Sequence, residues 1–356
     1  MHFAYVDLPR WARSWKRGRR GIHLYYVLWQ LAALRTARRL HAKHRFSLVW
    51  HVTLANAWLG STAWLVGPPF VYGPIGGGVR PPLGLMSSLG ARGVIFEAVR
   101  STAQGLGRRL NPLARLAWRH ASIILVQNRE TWAWLPNGYR TKTKVLPNIV
   151  LERPMLPPSD PPPVGRLIFA GELLPLKGCA LAVRCLCELP GWRLDIYGSG
   201  PDDGRLRRMA NRLGVADRVT FHGLVAREDL LEIMARRGHV LLSLTLHEEG
   251  GWAVAEAIAS GLPVVSLDQG GPPLLGAYGV RANTPRALAR EVADAIKSGH
   301  VRKAPAPRFD VEAQLERLRK VLREFGLLQR EDPESGLQQL HVPQSEGILT
   351  REGGLQ

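Results

Sequence analysis

The run from His247 to Gly271, HEEGGWAVAEAIASGLPVVSLDQGG, sets two adjacent carboxylates, Glu248 and Glu249, before two glycines, Gly250 and Gly251, with Glu256 following after seven residues counted from Glu248. Carboxylates accept hydrogen bonds from sugar or ribose hydroxyls, and free N–H groups at a helix start take phosphate. Two loop glutamates alone are equally explained by a helix dipole acting on solvated acids; the glycines, which let a ligand reach the backbone, shift the balance toward binding. A cation stands in a second such loop. Lys177, in GELLPLKG from Gly171 to Gly178, lies at an expected helix start where packing gives little reason for a lysine. Glycine turns recur at Gly198-Ser199-Gly200-Pro201 and at Gly270-Gly271, and His51 closes the apolar run FSLVWHV. A histidine at a strand end can act as a base or hydrogen-bond a substrate, though alone it more often serves structure. The triple glycine Gly76 to Gly78 offers open backbone to a ligand or to a facing domain.

These residues need elements to hold them. Val240 to Leu246 reads as a buried strand, Trp252 to Ser260 as a short helix closed by Gly261 and Pro263, and Val264-Val265 as the next strand. Upstream, strands at 166–170, 193–197 and 218–221 alternate with helices at 179–189, 204–213 and 227–235, which implies a parallel doubly wound sheet. The candidate loops then share the carboxyl edge, where such sheets bind ligands. Thr284-Pro285 opens a further helix to Ile296, and 311–325 is an amphipathic helix able to cross back to the first half. In that first half the pattern predicts strands at 3–6, 46–52, 70–72 and 122–126, and helices at 21–43, 55–65, 94–120 and 131–135. The expected division is 1–150 as one unit, a proline-rich linker at 151–164, a second unit at 165–305, a crossover helix at 306–328 and a disordered tail at 329–356.

At 356 residues, 46% hydrophobic and 22% charged, the chain has the composition of two folded domains. Its net charge of +19 lies wholly in residues 1–150, where 22 Lys and Arg face only Asp7, Glu97 and Glu130; the remainder holds 26 of each sign. Such a surface attracts nucleic acid, acidic lipid or phosphorylated substrate. RWARSWKRGRR, Arg10 to Arg20, mixes indoles with cations as a membrane-surface contact does, although a solvated basic loop reads the same way. Cys179, Cys185 and Cys187 lack metal-ligand spacing and read as reduced packing residues. The uncharged run before Arg80 is broken by Gly67, Pro68 and Pro69, against a membrane span, and no secretory signal opens the chain. His247-Glu248-Glu249 has Gly251 where a zinc hydrolase would need its second histidine.

In their order, GELLPLKG, IYGSGP (Ile196 to Pro201), RVTFHG (Arg218 to Gly223) and the spaced glutamates opening EAIASGLPVV resemble glycosyltransferase family 4, the retaining GT-B enzymes that use nucleotide-sugar donors. HRFSLVWHVT and PFVYGPIGGG are similar to a bacterial subgroup with a GPxGGG loop. The resemblance implies an α/β, GT-B fold of two Rossmann-like doubly wound domains, the N-terminal one shortened because the family's first strand and glycine loop have no counterpart ahead of Phe46. It places Lys177 on the donor diphosphate, Glu248 on the transferred sugar and Glu256 on the ribose. Gly250 and Gly251 lie near sugar and phosphate, Gly171, Gly198 and Gly200 fall in donor-binding loops, and His51 is on the acceptor side. Glu172 stands where members usually carry Arg, so an acid replaces a cation at the diphosphate. No Asp-x-Asp metal pair occurs, Asp202-Asp203 reading as helix-start acids, so no metal cofactor is expected.

The function so implied is transfer of a hexosyl group, with retention, from a UDP- or GDP-linked sugar to a lipid-linked or polysaccharide acceptor in cell-envelope or exopolysaccharide synthesis. The basic first unit would meet an anionic membrane, as a cytoplasmic protein peripheral on the inner face of the plasma membrane. Two alternatives stay open. One is a catalytically inactive GT-B partner subunit, suggested by Glu172 and the shortened first domain. The other is a nucleic-acid-binding protein, which the charge alone would suggest but for which no recognised module is present.

Overall fold

The computed structural model describes residues 2–9, 11, 21–52, 54, 56–151, 165–236, 238–301 and 310–328. Most of the Trp- and Arg-rich segment, most of the proline-rich linker and the expected tail lie outside them. Two parallel sheets organise the described chain.

The first sheet holds β1 (Val49–His51), β2 (Phe70–Ile75), β3 (Ile123–Val126) and β4 (Thr143–Val145), in the order β1-β2-β3-β4. Every residue of β2 and β3 is buried, as parallel strands covered on both faces require. Around them lie α1 (Ile22–His44), α2 (Gly90–Leu110), α3 (Pro112–His120) and α4 (Arg129–Trp134). Residues 3–6 form no strand, and 56–65, the described part of the helix expected over 55–65, is no helix but turns that lead into the 3-10 segment Ala63–Val66. The reason for the second departure is Gly60, at φ 78, where a Cβ would lie 2.5 Å from the Leu113 carbonyl carbon: the chain turns there to pass beneath α3. The single helical stretch expected over 94–120 is likewise two helices. Pro112 cannot continue α2, and Asn111 caps α3 by accepting the N–H groups of Leu113 and Ala114.

The second sheet holds β5 (Arg166–Ala170), β6 (Arg193–Tyr197), β7 (Val219–Gly223), β8 (His239–Ser243), β9 (Val264–Leu267) and β10 (Tyr278–Val280). Its helices are α5 (Cys179–Cys185), α6 (Asp203–Arg212), α7 (Arg227–Met234), α8 (Trp252–Ala259) and α9 (Pro285–Lys297). The spatial order β10-β9-β8-β5-β6-β7 reverses direction between β5 and β8, the place where an open α/β sheet leaves a crevice. α5 is buried along almost its whole length, and burial raises the Cys179 and Cys185 thiols far above their usual range, which suits inert packing. Cys187, expected to pack with them, is exposed.

A last helix, α10 (Val311–Glu324), returns to the first sheet: Leu318, Val321, Leu322 and Phe325 pack on Val71, Ile123, Leu125 and Leu146. Trp118 from α3 fills the opposite face, fully buried among Phe70, Tyr72, Ile75 and Trp134, with its indole N–H on the Ala57 carbonyl at 3.1 Å. Trp118→Ala should therefore cost about 3–5 kcal/mol in urea unfolding, transfer and cavity terms combined; a loss below about 1 kcal/mol would contradict this packing. Among the described residues no helix is long and apolar enough to cross a membrane.

Candidate functional site

A cavity opens at the reversal. The end of β5 (Phe169, Ala170), Gly171 and Glu172 form one wall, β8 with Thr245 and Glu248 the other, and the start of α8, Gly251 to Val254, closes it. Lys177 reaches in because its loop lies against the chain after β8: Gly178 has φ 77, and a Cβ there would stand 2.0 Å from the Leu244 carbonyl oxygen. Lys177 Nζ meets Glu248 Oε2 at 3.2 Å. The other carboxylate oxygen of Glu248 accepts the Gly251 N–H at 3.1 Å, which folds the loop into α8. α8 starts on Gly251 without a side-chain cap, so its first N–H groups face outward as an anion site. Glu172 stands in the same wall, giving two carboxylates to one ammonium among the described lining residues.

Glu256 lies one turn further along α8 and does not line the cavity. Its Oε1 accepts Arg227 Nε and Nη2 at 2.9 and 2.8 Å, which leaves Oε2 open. Several glycines read as ligand contacts have another use here. A Cβ on Gly198 would fall 1.9 Å from the Gly171 carbonyl oxygen, and one on Gly200 would fall 2.6 Å from that of Leu173, so these turns let neighbouring loops stack at the sheet edge. Of the predicted donor-side residues, Lys177, Glu248, Glu172, Gly171 and Gly251 surround one space. Gly250 faces Gln127 instead, where its Cβ would lie 3.2 Å from Oε1.

Glu249 points away from the cavity, across the gap between the two sheets. Its Oε1 accepts the Val79 N–H at 3.2 Å, and its Oε2 accepts Asn128 Nδ2 at 2.7 Å and Thr131 Oγ1 at 3.1 Å. Asn128 also donates to the Glu249 carbonyl at 3.0 Å, and its own Oδ1 caps α4 by accepting the Thr131 N–H at 2.8 Å. The glycine loop seats here: a Cβ on Gly76 would stand 3.1 Å from Glu249 Oε2, and one on Gly78 would stand 2.3 Å from Thr131 Cα. Of the two uses open to that loop, the structure shows the facing domain. Asn128 and Thr131 are not among the residues that the sequence singles out; it predicts only a helix over 131–135, and their signal is Asn-x-x-Thr, a helix cap just after a strand.

His247 joins the same contact. Its Nδ1–H donates to the Val79 carbonyl at 2.8 Å, while Nε2 accepts from Arg100 Nη1 at 2.8 Å; Arg100 is held in turn by the buried Glu97. Burial, and then Arg100, push the His247 pKa down against the opposite pull of Glu249 and Glu97. A histidine depressed in the folded state contributes stability that is present above its unfolded pKa of about 6.5 and lost as pH falls below it. The melting temperature should thus drop between pH 7 and 5.5 more steeply in the native protein than in His247→Gln; equal slopes would remove His247 from the account.

His51 is elsewhere. It lies in a groove between α1 and β1 with Trp29, Gln30, Trp50 and Thr62, a lining that shares no residue with the cavity at β5 and β8. Its Nε2 takes the Tyr26 hydroxyl, whose phenol burial keeps neutral, and its Nδ1 lies 2.6 Å from Ser61 Oγ. Both ring nitrogens are thereby engaged within the first domain.

Residues 161–309 match the family described as Glycosyl transferases group 1. The D-inositol 3-phosphate glycosyltransferase of Mycolicibacterium smegmatis is 36% identical over 117 residues, 32% of this chain and 27% of that protein. The 2-deoxystreptamine glucosyltransferase of Streptomyces kanamyceticus is 30% identical over 152 residues, 39% of this chain and 38% of its own length. The chain thus matches well under half the length of either relative. Among solved structures, Anabaena HepE in complex with UDP aligns with a TM-score of 0.57 at 18% identity, covering 84% of each chain. Sucrose-phosphate synthase from Thermosynechococcus elongatus aligns at 0.60 and 17%, covering 87% of this chain and 80% of that one. At such identity the likeness speaks for architecture: the fold is α/β, GT-B, with two Rossmann-like domains.

Proposed function

We propose that this chain is a glycosyltransferase that moves a hexosyl group, with retention, from a UDP- or GDP-linked sugar to a lipid-linked or polysaccharide acceptor. The observation that carries the reading is the cavity at the strand-order reversal, where Lys177 and the open start of α8 face Glu248. As the bond between the anomeric carbon and the diphosphate oxygen breaks, negative charge grows on the leaving diphosphate; the Lys177 ammonium and the α8 N–H groups lie where they would offset it. Entry of the diphosphate draws Lys177 from Glu248, whose freed oxygen accepts sugar hydroxyls. Glu256 would offer Oε2 to the ribose while Arg227 holds its other oxygen. These residues supply the positive charge, so turnover is proposed to need no metal and to persist in EDTA. The basic first domain fits a site of action at the cytoplasmic face of the membrane.

Calorimetric titration with UDP and GDP, followed by a donor-hydrolysis screen over a panel of nucleotide sugars, tests the proposal. A protein that binds neither nucleotide and hydrolyses no donor is not this enzyme. Glu172 in the cavity wall favours a second reading, an inactive partner subunit, for which nucleotide binding without turnover is the expected pattern.

A further inference from the structure

Helix α2 carries its apolar residues on the face turned to solvent. Ile95, Val99, Leu106 and Leu110 recur at helical spacing with Phe96 beside them, and each is more than half exposed, from 53% at Leu106 to 71% at Leu110. The helix meets the rest of the fold through its other side, where Glu97 and Gln104 are buried and two glycines allow close approach. A Cβ on Gly93 would lie 3.4 Å from Pro175 Cβ, and one on Gly107 would lie 3.4 Å from Trp58 Cβ. This reverses the arrangement of a core-facing helix. Single exposed apolar side chains are ordinary, but a row of them along about 22 Å of one helix is a patch of the kind that marks an interaction surface.

Charge identifies the partner. Arg92, exposed in line with the stripe, and Arg109, exposed beside Leu110, lie toward its two ends, and α3 continues with exposed Arg115 and Arg119. From residue 90 to 122 the one acid is Glu97, buried against Arg100. Apolar side chains among cations, with no exposed carboxylate, fit a lipid surface with anionic headgroups: the side chains enter the acyl boundary while the guanidinium groups stay with phosphate. A second copy of the chain would set like charge on like charge, since the first half carries the whole +19. We propose that α2 docks the protein on an anionic bilayer through Ile95, Phe96, Val99, Leu106 and Leu110. Gly93 packs on Pro175, two residues before Lys177, and Arg100 donates to His247 at 2.8 Å, next to Glu248, so a docked α2 holds the loops of the cavity near the lipid. That consequence rests on the glycosyltransferase reading; the docking itself does not.

Sedimentation of the native protein with phosphatidylcholine vesicles, with and without a third of phosphatidylglycerol, is compared with that of Val99→Ser/Leu106→Ser, of Arg92→Gln/Arg109→Gln and of Leu315→Ser, which alters an exposed apolar residue of α10 instead. Phe96→Ser replaces the double serine variant should that melt early. The native protein should pellet with the anionic vesicles, and less as salt rises. The serine variant should partition about tenfold or more less through lost apolar burial, the glutamine variant should lose about tenfold on anionic vesicles only, and Leu315→Ser should behave as native. Melting temperature and UDP affinity should stay at native values throughout, so failure of the donor reading shows in the native UDP titration and failure of docking shows in the pellet. A native protein that does not pellet overturns the proposal. So does pelleting that persists in both α2 variants, which would assign the contact to another basic part of the chain, and so does a native dimer broken by the serine variant, which would put a second copy on this face.

Discussion

Replacing Lys177 by alanine is expected to lower kcat/KM for the proposed sugar transfer by about 10²–10³-fold, the usual consequence of deleting one preorganised group at a developing anion. The cavity makes the effect large because its other ionisable walls, Glu172 and Glu248, are acidic. In the resting protein Glu248 balances the ammonium at 3.2 Å; without it, two carboxylates face an incoming diphosphate with only the α8 N–H groups in support. The loss should fall on kcat more than on KM, since charge on the leaving diphosphate is greatest in the transition state. Glu172→Gln should act in the opposite direction on KM by removing one of the repelling acids, and combining it with Lys177→Ala should recover part of the lost donor affinity. A Lys177→Ala protein that retains kcat/KM within about threefold would place the chemistry outside this cavity.

The second half of the chain was legible because each physical signal there is local. β5 to β9 are short apolar runs, their helices follow at once, and alternating strand and helix imply a parallel sheet, although the place where its order reverses, between β5 and β8, is set by the fold and not by that alternation. The Lys177 loop could be picked out for the same reason: a cation in a glycine turn at a strand end has little packing purpose. The first half resisted because its determinants lie far apart in sequence. Gly60 turns the chain to let Leu113 pass, a reason that no window around Ala55 to Leu65 contains. Glu248 and Glu249 show the limit most clearly. Adjacent and chemically identical, they looked alike as loop acids, yet one turns to Lys177 and the other to Asn128, 121 residues away. His51 shows the converse, since a strand-end histidine with polar partners on both nitrogens leaves no trace of Tyr26 or Ser61 in its own neighbourhood.

Glu249→Leu should weaken the contact between the two domains without unfolding either, while Leu85 and Leu89 stay buried in the core of the second. The carboxylate accepts three hydrogen bonds from the first domain, and all three donors, the Val79 N–H, Asn128 and Thr131, stay behind in a contact that closes around a leucine. Hydrogen bonds to a charged group contribute about 1.5–3 kcal/mol each when isolated, and abandoned donors carry a desolvation cost. The bonds share one acceptor and solvent reaches the side chain in part, so the expected loss is nearer about 2–4 kcal/mol than their sum. That loss belongs to the interface and not to either core: Trp118 and the second sheet are untouched. Urea unfolding should accordingly show the loss, while the scattering radius of the folded protein stays unchanged because Leu85 and Leu89 still join the first half to the second core. Glu249→Gln keeps the shape and one oxygen that can still accept from Asn128 and Thr131, but turns its NH₂ toward the Val79 N–H, so its defect should be smaller than that of leucine. A double-mutant cycle with Asn128→Ala decides the matter, because Asn128 is bonded to both the carboxylate and the carbonyl of Glu249. Coupling above about 1 kcal/mol is expected, and additivity within about 0.5 kcal/mol would show that this contact adds nothing to the hold between the domains.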